Sequence, residues 1–112
     1  MPDEGESGFR SIPSKKSRLI RASVLGVDLV DLTYHAQLRM NTREITVEDV
    51  LSALRHPTQT GLPAEPGTER FRWQKDRRTF IDVVFARKSN RIGIITVWKT
   101  TRSLIRRARR RQ

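Results

Sequence analysis

A histidine and two arginines follow one another at intervals of four residues: His35, Arg39 and Arg43. Residues spaced by four lie one above another on an α-helix, and the helical repeat spreads these three over an arc of roughly 80°. A neutral imidazole can accept a proton from a ribose 2′-hydroxyl. An arginine keeps its charge and can hold two phosphate oxygens at once. The stripe therefore predicts proton transfer and phosphate binding on RNA, although such a stripe is more often only the solvated side of a helix.

Other side chains are candidates for contacts with a nucleic-acid strand. Arg70 and Arg72 alternate with two aromatic residues, which predicts a strand with one basic and one buried side. Thr96 could donate a hydrogen bond to a phosphate oxygen, although threonine is also a common strand residue. Trp73 and Trp98 could stack on bases, but packing is the more frequent role. The predicted RNA-binding set is Arg70, Arg72, Lys99, Arg102, Arg106 and Arg107.

The composition indicates an anionic partner. The 112 residues carry 23 Lys and Arg against 12 acidic residues, a net charge of +11, which favours nucleic acid first and an acidic membrane or an acidic protein second. The chain has no cysteine, which excludes disulfides and thiolate catalysis and fits a reducing cytoplasm. Asp82 has no second carboxylate near it, no metal-ligand spacing is present, and no apolar run could cross a bilayer. We expect a cytoplasmic protein without a cofactor, a metal or a membrane partner.

The chain divides into four parts by composition. Residues 1–14 are polar and rich in Gly, Pro and Ser, which predicts a flexible tail. Residues 15–32 form an N-terminal extension in which Ile20, Val24 and Val27 favour a helix, although part of the same stretch also suits a strand. The main domain is expected at 33–100, followed by a basic C-terminal tail at 101–112.

Within the main domain, helical patterns come first and strand patterns follow. Thr33 is a candidate cap for a helix that runs to about Thr42. Thr46 and Asp49 resemble a capping box at the start of a second helix. Pro57 ends that helix at His56, a position more typical of a helix end than of a catalyst. Alternation and β-branched residues then predict strands at 70–73, 79–86 and 92–98. The expected fold is α+β, with two N-terminal helices packed on a small antiparallel sheet of three to four strands.

The motif around the stripe resembles the bacterial family called domain of unknown function 4258. The matching residues are His35, Ala36, Arg39, Met40, Arg43, Ile45, Glu48, Val50 and Pro57, with the strand Ile95-Thr96-Val97 near the end. The resemblance covers residues 33–99. Glu44 stands where the family often has glycine, at the predicted turn between the helices.

The family is similar to small ribonuclease-like toxins such as barnase, EndoU, colicin-type tRNases and RelE. This resemblance implies a metal-independent endoribonuclease toxin that acts on tRNA, rRNA or mRNA, with an acidic antitoxin or immunity protein as a further partner. In that function His35 would be the base or acid, Arg39 and Arg43 the phosphate clamp, and Thr96 a supporting donor. A non-catalytic nucleic-acid- or partner-binding module is the alternative, and a lone histidine favours it because RNA cleavage commonly uses both an acid and a base.

Overall fold

The computed structural model describes residues 16–102, which form two helices and five strands. In chain order the elements are β1 (Arg18–Val24), β2 (Val27–Leu32), α1 (Tyr34–Arg43), α2 (Val47–Arg55), β3 (Glu69–Gln74), β4 (Thr79–Arg87) and β5 (Ile92–Thr101). The predicted tail at 1–14 lies outside the described residues, as do the predicted RNA contacts Arg106 and Arg107.

All five strands form one mixed sheet in the order β1-β2-β5-β4-β3. Neighbouring strands are antiparallel except for β2 and β5, which pair in parallel. The predicted fold, two N-terminal helices on an antiparallel sheet of three to four strands, is therefore wrong. Two strands precede the helices, and they extend the sheet beyond β5.

The helix predicted within 15–32 is replaced by the hairpin of β1 and β2. Leu25 and Gly26 both have positive φ, 47° and 84°, and they connect the paired residues Val24 and Val27. A two-residue turn with positive φ at both positions matches the right-handed twist of paired strands. Ile20 and Val24 are spaced by four, and an even spacing also places side chains on one side of a strand. The spacing that favoured a helix was thus equally compatible with the hairpin.

The second helix begins and ends where the sequence predicts. The Asp49 backbone N–H donates to Thr46 Oγ1 over 3.0 Å, and the Thr46 N–H donates to Asp49 Oδ2 over 3.1 Å. This reciprocal pair is a capping box with aspartate in place of glutamate. His56 is the C-cap residue, immediately before Pro57, so its prediction as a helix end is confirmed.

The hydrophobic core joins both helices to one face of the sheet. The predicted antiparallel pair at 79–86 and 92–98 is confirmed, since β4 and β5 pair over most of their length. Val50 and Leu54 of α2 are buried in one cluster with Val83 and Val97. Phe85 lies in the same cluster, edge-on to Phe71 with their ring centroids 4.9 Å apart. The opposite face of the sheet is called the open face below.

The turn after α1 places Glu44 in the left-handed conformation, with φ 56° and ψ 48°. The Ile45 N–H donates to Met40 O, and the Glu44 N–H donates to Asn41 O. These two bonds and the burial of Met40 and Ile45 define a Schellman motif, which usually has glycine at the left-handed position. The turn therefore forms with glutamate, and the Cβ atom of Glu44 strains the backbone in this conformation.

Glu44→Gly is expected to raise the free energy of unfolding by about 0.5–1 kcal/mol, because relief of the strain exceeds the extra chain entropy of glycine. Denaturation with urea measures the difference. Glu44→Ala is the matched control, since it removes the same charge but keeps the Cβ atom. A glycine variant no more stable than the alanine variant would show that the turn is unstrained.

Candidate functional site

Thr33 fixes the start of α1 on the edge of β5. Its backbone N–H donates to Ile94 O and its hydroxyl donates to Ile95 O, each over 3.1 Å. The same hydroxyl accepts the Ala36 N–H, so Thr33 is the N-cap that the sequence predicts. Ala36 and Met40 then turn towards the core. One threonine thus sets both the start and the direction of the helix that carries the candidate stripe.

His35, Arg39 and Arg43, called the α1 stripe below, lie on α1 with open side chains. His35 and Arg43 are exposed and Arg39 is half-buried. No residue among the described 16–102 forms a hydrogen bond or an ion pair with these three side chains. On an α-helix the stripe extends over about 12 Å, with successive members about 5–6 Å apart. Among the described residues, no ion pair neutralises the guanidinium groups of Arg39 and Arg43, and they lie beside an accessible imidazole.

The structure separates Thr96 from the α1 stripe. Val97 is fully buried against the helices, and successive side chains of a strand point to opposite faces. Thr96 pairs with Val84 and lies on the open face, across the sheet from α1. The predicted role of Thr96 as a donor to a phosphate held by His35 and Arg39 does not fit this placement.

The other predicted cations divide between the two sides of the sheet. Lys99 pairs with the buried Ile81, and its Nζ lies 3.5 Å from Glu44 O at the end of α1. Arg102 lies over the Phe80 ring, 4.9 Å from its centroid, on the open face. Lys99 therefore extends the basic surface of the α1 stripe, whereas Arg102 does not.

Arg70 and Arg72 form a cluster with Asp82 on the open face. Asp82 is 2% exposed. Its carboxylate accepts hydrogen bonds from Arg70 Nε over 2.8 Å, Arg72 Nε over 2.8 Å and Arg72 Nη2 over 3.1 Å, and Arg70 Nη2 lies at 2.6 Å. The hydrogen bond to Asp82 is also the main cause that raises the pKa of Arg72. This arginine–aspartate cluster holds two cations around one anion, so it has less free charge than the strand pattern suggests.

The sequence indicates that Asp82 needs partners, but the residues near it in the chain do not show which ones. Asp82 interrupts an otherwise apolar strand, and a buried carboxylate requires charged or hydrogen-bonding partners. Only the register identifies those partners: Arg72 pairs with Asp82, and Arg70 pairs with Val84, two residues further along on the same face.

Within the described part of the chain, no helix combines the length and apolar character that crossing a membrane requires. Comparison with curated proteins gave no match, and comparison with solved structures gave none either. The model of one family matches residues 32–99, well over half of the chain, and it includes the whole α1 stripe and all of β3 and β4. The chain therefore belongs to the family described as domain of unknown function DUF4258.

Proposed function

We propose that this protein is a cytoplasmic RNA-binding domain that holds the phosphate backbone with the α1 stripe. The observation that supports the proposal is that no residue of the described part of the chain pairs with Arg39 or Arg43, which lie on a helix whose position is fixed by Thr33. Unpaired guanidinium groups on a rigid element are ready to bind phosphate oxygens without first breaking an ion pair. Lys99 adds a third cation at the end of the helix.

Binding accounts for the geometry better than catalysis does. The predicted catalytic set combined His35, Arg39 and Arg43 with a supporting hydrogen bond from Thr96, and Thr96 lies across the sheet from the other three. Phosphate binding needs only the two arginines and Lys99, which lie on one side. An acidic antitoxin or immunity protein would meet the same positive surface, and it would compete with RNA for that surface.

Replacement of Arg39 and Arg43 together by alanine is expected to weaken RNA binding and its dependence on salt. Loss of two phosphate contacts to a single strand lowers the magnitude of the slope of log K against log salt by about 1.4. Filter binding or fluorescence anisotropy from low to moderate salt measures the slope.

The matched control is Arg21→Ala with Lys88→Ala, which removes the same charge from exposed sites away from α1. Net charge alone predicts the same slope for both double variants, whereas the proposal predicts the change only for the α1 pair. Equal slopes would refute a specific role for the stripe.

Metal-independent cleavage of the bound RNA is a second candidate function, favoured by the exposure of His35 one turn before Arg39. In this reaction the ribose 2′-oxygen would attack phosphorus while its proton passes to His35. The bond from phosphorus to the 5′-oxygen would break, that oxygen would take a proton from water, and a 2′,3′-cyclic phosphate would remain. Incubation of the protein with total tRNA, rRNA and mRNA in EDTA, with analysis of the product ends, tests this candidate.

A further inference from the structure

A groove of about 610 Å³ lies on the open face of the sheet. Val84, Thr96 and Trp98 form its floor, and residues 63–66 of the segment before β3 form a wall. Two of those wall residues are prolines, and most of the lining is apolar. Grooves of this volume are typical of sites that bind one small organic group, with apolar walls and a few polar atoms that fix its orientation.

A flat, rigid surface lies at one side of this groove. The Arg70 guanidinium carbon lies 4.5 Å from the centroid of the Trp98 ring. Arg70 cannot easily leave this position, because Asp82, which is itself buried, binds its guanidinium. Aromatic rings and guanidinium planes are the two surfaces on which proteins stack unpaired bases.

The charges around the groove favour a neutral ring over a phosphate. Arg70 is paired with Asp82, and Glu65 also lines the groove, so little positive charge is free inside it. A phosphate group would lose its hydration there without meeting an unpaired cation. A nucleobase is flat, has no charge, and has polar edges that the Thr96 hydroxyl can reach.

We propose that the groove binds one unpaired base of single-stranded RNA, stacked on the guanidinium plane of Arg70, which itself lies over the Trp98 ring, with the Thr96 hydroxyl at the edge of the base. The inference rests on the proposed RNA-binding function and adds a base-binding subsite across the sheet from the α1 stripe. The flanking phosphates then lie outside the groove, where Arg102 is exposed on the same face.

One end of β5 connects the groove with the surface of the α1 stripe. Trp98 and Lys99 are adjacent in sequence and point to opposite faces, Trp98 into the groove and Lys99 towards the end of α1. The strand ends about 10 Å further on, at Thr101. Arg78 and Arg102 lie at this end of the sheet, joined by a hydrogen bond from Arg78 Nε to Arg102 O. A single strand that passes around this basic end contacts both the groove and the α1 stripe.

The test follows base binding through the fluorescence of Trp98. The chain has two tryptophans, so Trp73→Phe leaves Trp98 as the source of tryptophan fluorescence. This variant is titrated with an oligoadenylate of about 12 nucleotides and with an abasic ribose-phosphate oligomer of equal length. We expect oligoadenylate to quench Trp98 and to bind about 10- to 100-fold more tightly than the abasic oligomer.

Variants at Trp98 separate stacking from packing. Trp98→Leu keeps an apolar side chain without a ring, and in fluorescence anisotropy with labelled oligomers it should remove the preference for oligoadenylate while leaving the affinity for the abasic oligomer unchanged. Trp98→Phe restores a ring and should recover most of the preference. The double variant with Arg39→Ala and Arg43→Ala should instead weaken the binding of both oligomers by the same factor.

Adenosine has no phosphate for the α1 stripe to bind. It therefore distinguishes failure of the base subsite from failure of the proposed RNA-binding function. Quenching of Trp98 by adenosine supports the groove even if RNA binding does not depend on α1. Equal binding of the two oligomers with no quenching by adenosine overturns the base subsite and leaves the proposed function standing. Quenching by an apolar, proline-rich peptide in preference to oligoadenylate would also overturn it.

Discussion

His35→Ala is expected to lower the rate of RNA cleavage about 100- to 10,000-fold, if the domain cuts RNA, because general acid–base groups contribute that much to such reactions. RNA affinity should stay nearly constant, since a neutral imidazole adds little to phosphate binding compared with Arg39 and Arg43. The imidazole is exposed and bonds to none of the described residues, so stability should change by no more than about 0.5 kcal/mol. Cleavage rate, affinity and melting temperature are measured on the same preparation.

The matched control is His56→Ala, which removes the other histidine, also exposed, from the end of α2. It should leave the cleavage rate unchanged. Arg39→Ala should reduce rate and affinity together, because a phosphate clamp acts in both the ground state and the transition state. A folded His35→Ala protein that cuts RNA at the parent rate would end the catalytic candidate and leave RNA binding as the function.

Asp82→Asn is expected to lower the free energy of unfolding by about 3 kcal/mol, the lower end of the range for breaking a buried ion pair. The substitution leaves Arg70 and Arg72 close together without the anion between them. The lower end applies because these arginines are 23% and 29% exposed, so their guanidinium groups can turn partly towards water. Urea denaturation gives the value, and Asp28→Asn is the control for loss of one negative charge at an exposed site.

A second comparison identifies charge as the cause. Replacing Arg70, Arg72 and Asp82 together by valine removes the whole cluster, and β-branched residues suit these strand positions. Buried ion pairs can often be exchanged for apolar groups with little loss of stability, so the triple variant should be more stable than Asp82→Asn. The account of the cluster is wrong if Asp82→Asn matches the parent protein in stability.

Local sequence signals were sufficient where the structure depends on neighbours in the chain. The capping box of Thr46 and Asp49 and the stop at Pro57 together identify one helix. The runs of β-branched and aromatic residues identify β4 and β5. The pattern in 15–32 failed because Ile20 and Val24 satisfy the helical and the strand period together, and the turn places a leucine, Leu25, at positive φ.

The candidate site was predictable as a helical surface but not as a three-dimensional arrangement. The spacing of His35, Arg39 and Arg43 was enough to place them on one side of a helix. The side of the sheet on which Thr96 lies depends on the parity of β5 relative to the core, which a short run of apolar residues does not determine. The partners of Asp82 depend on strand register across a hairpin, and the sequence of either strand alone does not contain that information.

The parallel pairing of β2 with β5 has a consequence for the order in which the chain can fold during synthesis. Val30 pairs with Ile92, and the bond from Thr33 to Ile95 joins residues that are 62 positions apart. At a ribosomal rate of about 5–20 residues per second, the β1–β2 hairpin waits roughly 3–12 s for its central partner. During that time the apolar side chains of Val30 and Leu32 and one edge of β2 have no partner from β5. The nascent hairpin is therefore exposed to chaperone binding and to mispairing with other chains until β5 is made.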